Sequence, residues 1–304
     1  MSKTTSAKVN LAISAIIFGT LGLFSKNISM PATVITMIRG LVAAPFLLLV
    51  LRIQGKRLSW DCLKKNLIPL FLSGISLAIA MITLFESYKY LTVAAASIFY
   101  AMAPVIFVAV APFLFRESMN LKKILCIITA VVGVYLVSNL LETGLPTSLE
   151  EAKGILLGIA CAISYALVTI INKKICGVPA FDKTIVQLAI FGIVLLPVNI
   201  FTGSFSQVEL SSVTIINTVI VCIVHTGIAF LCYFGPLEYL PANTSAIIFY
   251  LEPVTAVLMS AFVLHEPLNA MNILGVVLVL GAAVCNEINL KKPTKPIKPT
   301  SQKN

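Results

Sequence analysis

Charged residues are scarce in this chain. Asp, Glu, Lys and Arg make up 11% of its 304 residues, whereas hydrophobic residues make up 59% and the mean hydropathy is +1.01. A soluble globular domain has about 25% charged residues, so the composition indicates a chain that lies in lipid. A helix that crosses a membrane needs about 20 mainly apolar residues, which leaves room for about ten such helices and none for a soluble catalytic domain.

The sequence also lacks the motifs of several catalytic and metal-binding classes. It contains no HExxH, no GxSxG, no P-loop and no paired intramembrane aspartates. Its seven cysteines are scattered singly, without CxxC or a histidine spacing suited to zinc, and we interpret them as small packing residues. We therefore expect no cofactor, no metal and no intrinsic ATP-driven pumping.

Basic residues give the chain a net charge of +10, but they fall in short clusters between apolar runs, which does not favour a nucleic-acid partner. If both termini are cytoplasmic, eighteen Lys and Arg residues lie inside and only Lys26, Lys89 and Lys153 lie outside. The positive-inside rule therefore predicts a multi-pass protein of the plasma membrane with an even number of helices and both termini in the cytoplasm.

The apolar runs predict an all-α membrane protein with ten transmembrane helices. They cover residues 9–26, 31–51, 66–89, 92–115, 121–140, 154–172, 183–202, 212–234, 240–264 and 269–287.

An internal repeat relates the two halves of the chain. Residues 85–125 align with residues 234–274 at an offset of 149, with twelve identities that include Pro104/Pro253 and Glu117/Glu266. We predict two five-helix repeats, at 1–145 and 146–289, and a disordered cytoplasmic Lys/Pro-rich tail at 290–304. Because five is odd, the second repeat enters the membrane inverted, an arrangement typical of secondary transporters.

These segments resemble the EamA-type transporters of the drug/metabolite transporter superfamily over nearly the whole chain. The resemblance rests on Gly19, Lys26, the Arg39-Gly40 pair, residues 88–105, 115–118 and 237–269, and Gly275. The usual Leu-Gly-Glu of the family appears here as Phe115-Arg116-Glu117 and Leu264-His265-Glu266. The resemblance implies a ten-helix carrier with a central cavity, lined largely by the third, fourth, eighth and ninth helices. It further implies a cargo of amino acids, other metabolites or organic amines, often moved outward.

Glu252 is the leading candidate for function. A carboxylate near the middle of an apolar run costs about 2.5–3.5 kcal/mol to insert, so we expect it to face a water-filled cavity and to exchange a proton. Its repeat partner is Ala103, so the fold does not require a carboxylate there. The alternative is a protonated side chain that binds a carbonyl freed by Pro253. Pro104 and Pro253 are expected to kink corresponding helices near the binding region, or simply to serve packing.

Other polar and aromatic residues are candidates to bind substrate or couple transport. His225 lies on a polar face of the eighth helix, where it is either a proton relay or a packing residue. Arg39 is expected to snorkel outward or to pair with Glu86. Aromatic side chains that would stack on a substrate or fill the interface between halves are Phe99, Tyr100, Phe249 and Tyr250, with Tyr165 as a weaker candidate.

The sequence thus predicts a secondary active transporter, an exporter of a small metabolite by alternating access with proton coupling. A membrane-embedded enzyme and a passive channel for small solutes remain alternatives. The expected partners are the small-molecule substrate, protons and membrane lipids, with a homodimer left open.

The predicted orientation can be tested by cysteine labelling. In an otherwise cysteine-free variant, a cysteine placed near Glu150 should react with an impermeant maleimide on intact cells. A cysteine placed near Lys56 should react only after permeabilisation, because the basic connections lie inside. The reverse labelling pattern would overturn the orientation.

Overall fold

The computed structural model of the chain describes residues 3–115, 121–137, 148–237, 239–240 and 242–287, and all regular structure in these ranges is helical. The helices of the first half are α1 Lys3–Gly19, α2 Leu21–Ser25, α3 Ala32–Ile53, α4 Trp60–Lys65, α5 Leu67–Ser87, α6 Val93–Ala101, α7 Ala103–Phe115 and α8 Leu121–Val137. Those of the second half are α9 Leu149–Lys174, α10 Ala180–Phe201, α11 Ser212–Ile220, a π-helix Val221–Ile228, α12 Ala229–Leu237, α13 Ala242–Phe249, α14 Leu251–Phe262 and α15 Ala270–Glu287. A short 3-10 turn, Ser204–Gln207, precedes α11.

In the part of the chain that the structure describes, seven helical stretches are long and apolar enough to cross a membrane. They are Lys3–Ser25, Ala32–Ile53, Leu67–Ser87, Val93–Phe115, Leu149–Lys174, Ala180–Phe201 and Ser212–Phe234. Ile247–Phe262 and Ala270–Cys285 are shorter apolar helices, and α8 has 17 residues. Large apolar side chains are exposed along many of these helices. Such an apolar surface is favourable against lipid and unfavourable against water. The chain is therefore a multi-pass membrane protein.

Several of the long stretches are interrupted within their length. The fourth apolar run breaks at Met102 and the ninth at Tyr250, so that Pro104 and Pro253 lie in the first turn of α7 and α14. A proline is tolerated there because the first amide groups of a helix have no partner within the helix. The hydrophobic pattern did not reveal the break at Thr20, between α1 and α2, or the widened turns of the π-helix.

The helices α3 and α10 are counterparts that pack on each other. Each has 22 residues and begins directly after a proline, Pro31 or Pro179. Their backbones approach closely, since a Cβ at Gly40 would lie 2.5 Å from the carbonyl oxygen of Leu188. Small residues at such crossings are usual in membrane helices. As a result, the eighth residues of the two helices, Arg39 and Gln187, lie in one layer of the protein.

The pair α8 and α15 depends on a second close crossing. A Cβ at Gly133 would lie 2.7 Å from the carbonyl oxygen of Gly275, and one at Gly275 would lie 2.5 Å from that of Gly133. Asn272 strengthens this pair through hydrogen bonds from Nδ2 to the carbonyls of Leu136 and Val137, both 3.3 Å. Elsewhere, α5 packs on α9, α1 on α12 and α6 on α14.

Some sequence predictions fall outside the described residues. These are Arg116–Ser118 with Glu117, the acidic connection around Glu142, and the Lys/Pro-rich tail.

The α8–α15 crossing makes a testable prediction about stability. Gly275→Ala should lower stability by about 1–3 kcal/mol, because the added methyl group meets the backbone of the facing helix. Gly281→Ala is the matched control in the same helix, since nothing lies within 4 Å of a Cβ there. Thermal unfolding of the two purified variants in detergent measures the difference. Equal midpoints would contradict the close crossing.

Candidate functional site

A cavity of about 240 Å³ lies between helices of both halves. Its wall is largely aromatic and aliphatic, with few polar side chains, as small-molecule sites usually are. The polar and tyrosine side chains that line it are Arg39, Tyr100, Tyr165, Asn172, Lys183, Thr184, Gln187, Tyr233 and Glu252. The phenylalanines are Phe18, Phe191, Phe230, Phe234 and Phe249.

Glu252 lines this cavity from the first turn of α14 and is half-buried. Among the described residues its carboxylate has no ion-pair partner. Gly19 lets α1 approach closely here, since a Cβ at Gly19 would lie 2.5 Å from the carbonyl oxygen of Glu252. The carboxylate is therefore held at the cavity wall and left available to a ligand or a proton.

Arg39 is buried, with 3% of its surface exposed, and its guanidinium is held on several sides. Nε donates to Oγ1 of Thr226 at 3.0 Å, Nη1 lies 3.5 Å from the sulfur of Met81, and the guanidinium lies 5.1 Å from the ring centre of Phe85. None of these contacts neutralises the charge. Within the described part of the chain no carboxylate pairs with Arg39, so this cation also faces the cavity without a counter-ion.

The structure corrects the sequence prediction for Arg39. The side chain does not snorkel to a surface and does not pair with Glu86. Glu86 lies in the last turn of α5 and forms an ion pair with Lys89 at 2.9 Å, because the two residues are three apart at the helix end. Glu86 lies outside the cavity of Arg39 and Glu252.

Two tyrosines lie near both the carboxylate and the guanidinium. Tyr88 and Tyr100 are each close enough to interact electrostatically with both Glu252 and Arg39. Tyr100 also contacts Tyr165 edge to face, with ring centres 4.9 Å apart. Within the described residues the two charged groups form no ion pair with each other, and the cavity that both line offers a cation and an anion.

His225 is buried in the π-helix, in the interior of the eighth apolar run, and does not line the cavity. Its Nε2 lies 2.9 Å from Oγ1 of Thr20, and Nδ1 lies 3.4 Å from the carbonyl oxygen of Ile220. Phe24 packs against the imidazole, with ring centres 5.1 Å apart. His225 therefore joins the π-helix to the break between α1 and α2. Such π-helical turns frequently occur at functional sites.

The predicted aromatic candidates separate into two groups. Tyr100, Tyr165 and Phe249 line the cavity. Phe99 instead is 2% exposed and packs on α9, where a Cβ at Gly158 would lie 2.7 Å from its ring. Tyr250, at the break before α14, is not among the lining residues.

Several lining residues escaped the sequence analysis, above all Gln187, Lys183 and Tyr233. Gln187 is an amide in the middle of an apolar run, and its position equals that of Arg39 counted from the preceding proline. That equivalence was a usable signal, although Arg39 and Gln187 are 148 residues apart, whereas the repeat of residues 85–125 and 234–274 has an offset of 149. Tyr233 carried no signal, since an aromatic side chain in an apolar run usually packs in the core.

The two ends of the cavity differ. Asn172 lies near the end of α9, and Lys183 lies near the start of α10. The cavity therefore extends to the side of the protein where α9 ends and α10 begins. The start of α9 marks the opposite end, about 39 Å away along a helix of 26 residues. There Lys153 donates to the hydroxyl of Tyr90 at 2.6 Å, close to the start of α6.

A single carboxylate joins three helical segments at this opposite end. Glu266 accepts from the backbone amide of Val93 at 2.7 Å, from the hydroxyl of Ser260 and from the ammonium of Lys26. The first turn of α6 has unpaired amide groups and favours an anion. His265, with φ of 53°, turns the chain back after α14 so that Glu266 reaches these partners. We call Glu266, Lys26, Val93 and Ser260 the Glu266 seal.

The arrangement suits binding of a small polar or zwitterionic solute and gives no support to metal chemistry. Among the described residues no group of three or more His, Cys, Asp and Glu side chains is placed to hold a metal ion.

Comparison with known proteins agrees with this architecture. A sequence profile of the EamA-like transporter family matches residues 6–139 and 152–286. YxxF of Bacillus subtilis, described as an uncharacterized transporter, is 28% identical over 90% of this chain and 87% of its own length. YicL of Salmonella typhimurium, described as an uncharacterized inner membrane transporter, is 23% identical over 96% of this chain and 98% of its own.

A solved crystal structure shares the fold, with a TM-score of 0.64 and 17% identity over 92% of this chain and 96% of that chain. The family profile covers most of the sequence and matches it in both halves. The chain belongs to the EamA-like transporter family.

Proposed function

We propose that this protein is a secondary active carrier that exports an amino acid or a related organic amine by alternating access, coupled to protons through Glu252. The observation that carries the proposal is the cavity in which Glu252 and Arg39 stand apart, each without a counter-ion among the described residues. Buried charges are costly unless paired, so the substrate itself is the natural partner of both.

The two charges favour a zwitterion over a simple cation. An α-carboxylate matches the guanidinium of Arg39, and an ammonium matches Glu252 and the faces of Tyr100 and Tyr165. An amine without a carboxylate leaves Arg39 unpaired. The cavity of about 240 Å³ is close to the lower end of the usual range for ligand pockets, which suits a small metabolite.

The proposal includes ten spanning helices arranged as two inverted repeats, residues 1–145 and 146–289. Two observations support it. The family profile matches each half separately. The helix contacts also exchange under a two-fold relation: α3 packs on its counterpart α10 and α8 on its counterpart α15, while α5 with α9 corresponds to α12 with α1. A pseudo-two-fold axis in the membrane plane produces this pattern.

Alternating access follows from the difference between the two ends of the cavity. With both termini in the cytoplasm of a plasma membrane, Lys183 and Asn172 lie at the inner end and the Glu266 seal lies at the outer end. The structure then corresponds to a carrier open to the cytoplasm, the state in which an exporter loads. Release requires the contacts of Glu266 to break.

Glu252 is proposed to couple transport to protons. A carboxylate in a cavity of this kind binds either a proton or a cationic substrate group, and the two compete for one place. The carrier would then exchange external protons for internal substrate. Tyr100 and Tyr165 line the same cavity as Glu252, and their hydroxyl groups are the nearest kind of neutral donor that such a wall supplies.

The coupling role is tested with Glu252→Gln in proteoliposomes that carry an imposed pH gradient and a mixture of labelled amino acids. The variant keeps the size of the side chain and loses the exchangeable charge, so proton-driven accumulation should fall to the level without a gradient. Exchange of substrate in the absence of a gradient should persist. Glu86→Gln is the matched control, because Glu86 is ion-paired at a helix end, and it should retain accumulation.

Three outcomes would count against the proposal. Wild-type pH dependence in Glu252→Gln would leave Glu252 with a structural role only. Equilibration of every solute without accumulation would indicate a channel, and chemical conversion of lipid or solute would indicate an enzyme.

The Glu266 seal yields a second prediction. Glu266→Ala removes the anion from the start of α6 and from Lys26, so the outer end should open more often. A hydrogen bond to a charged group contributes about 1.5 kcal/mol or more, which corresponds to about a tenfold shift. The readout is the rate at which an impermeant maleimide labels Ser25→Cys, since Ser25 is buried beside Lys26.

The matched control for this experiment is Glu209→Ala, which removes an exposed carboxylate from the same end of the protein. It should leave the labelling rate unchanged. An unchanged rate in Glu266→Ala as well would contradict the role of Glu266 as a seal.

A further inference from the structure

Gln187 and Arg39 occupy equivalent positions in the two halves. Each is the eighth residue of a 22-residue helix that begins directly after a proline, and each lines the cavity. Each also forms a hydrogen bond with the third apolar run of the opposite half. Gln187 donates to Ser73 on α5, and Arg39 donates to Thr226 in the π-helix. The cavity therefore has two related anchors, one cationic and one neutral.

The amide of Gln187 is fixed by its neighbours. Nε2 donates one hydrogen bond to Oγ of Ser73 and one to Oδ1 of Asn172, both at 2.7 Å. The start of α10 is itself anchored, because Asp182 accepts from the backbone amide and the hydroxyl of Ser59 at 2.9 and 2.6 Å. Both protons of the Gln187 amide are thus hydrogen-bonded, and the start of α10 near Gln187 is anchored by Asp182.

What remains of Gln187 is its carbonyl oxygen. Although the residue is only 3% exposed, it lines the cavity, and among the described residues no donor is hydrogen-bonded to its Oε1. An amide oxygen is an acceptor only. The hydrogen-bonding capacity that Gln187 has left for a ligand is consequently that of a single acceptor.

We propose that Gln187 is a specificity-determining residue that accepts a hydrogen bond from the uncharged polar end of the substrate, a hydroxyl or an amide N–H, while Arg39 binds the carboxylate. This rests on the proposed function and narrows the substrate class to amino acids with a neutral polar side chain. A substrate with an apolar side chain would leave Oε1 of Gln187 unpaired. A substrate with a carboxylate side chain would place one acceptor against another, which is unfavourable. Sites built to bind a hydroxyl or N–H group discriminate well against analogues that lack it.

The test uses two matched pairs of unlabelled amino acids as competitors of counterflow in proteoliposomes. L-Threonine and L-valine form a short pair, and L-glutamine and L-methionine form a long pair. In the wild type, the polar member of at least one pair should compete more strongly, by about 2-fold to 10-fold for one hydrogen bond. Gln187→Met, of similar length and without an acceptor of that strength, should remove the preference.

Two substitutions on α5 separate this role from stability. Ser73→Ala releases one side of the Gln187 amide and should weaken the preference. Ser76→Ala, one turn further along, removes a buried hydroxyl that donates only to Leu72 of its own helix, and it should leave the preference unchanged. If Gln187→Met fails to fold, this pair still decides the matter.

The outcomes distinguish the two levels of the proposal. Counterflow of amino acids with no preference in either pair, or a preference unaffected by Ser73→Ala and Gln187→Met, would overturn the role of Gln187 alone. No amino-acid counterflow at all would overturn the proposed function together with it.

Discussion

The cost of placing a charge in hydrocarbon governs the centre of this protein. Arg39 and Glu252 lie in helices that otherwise consist almost entirely of apolar residues, and neither charge is neutralised by a described neighbour. Such groups are stable only where helices separate and leave room for water or a ligand. The two charges are therefore compatible with this position in the membrane because both line a cavity.

Close helix crossings make that arrangement rigid. Gly19 admits α1 to the backbone at Glu252, and Gly40 and Gly192 admit α10 to α3. In a bilayer, association of helices depends on such contacts because lipid is as apolar as leucine. The same glycines thus determine which side chains on these helices meet in the cavity.

Much of this architecture was predictable from the sequence, since long apolar runs and a charge buried within one leave strong signals. Membrane helices, Arg39, Glu252 and the cavity aromatics Tyr100 and Phe249 were all marked by residue type and position. Family membership was also correctly indicated by the motifs of both halves.

The rest depended on three-dimensional contacts that no local pattern encodes. The pairing of Arg39 with Thr226, and not with Glu86, follows from the π-helix, and a widened helical turn has no simple sequence signature. Gln187 was missed because a neutral amide costs little in an apolar run. Glu266 stood out as a repeated residue, but its partners Lys26 and Val93 are distant in sequence and meet it only in the fold.

His265 carries a consequence for the energetics of the cycle. Its φ of 53° lies in the region that non-glycine residues enter at a cost of about 1–2 kcal/mol. If the turn relaxes when Glu266 leaves its partners, this strain is released at each opening and regained at each closing. In the proposed alternating-access cycle, this strain would then make the outward-facing state several-fold more populated than it would be with glycine at position 265.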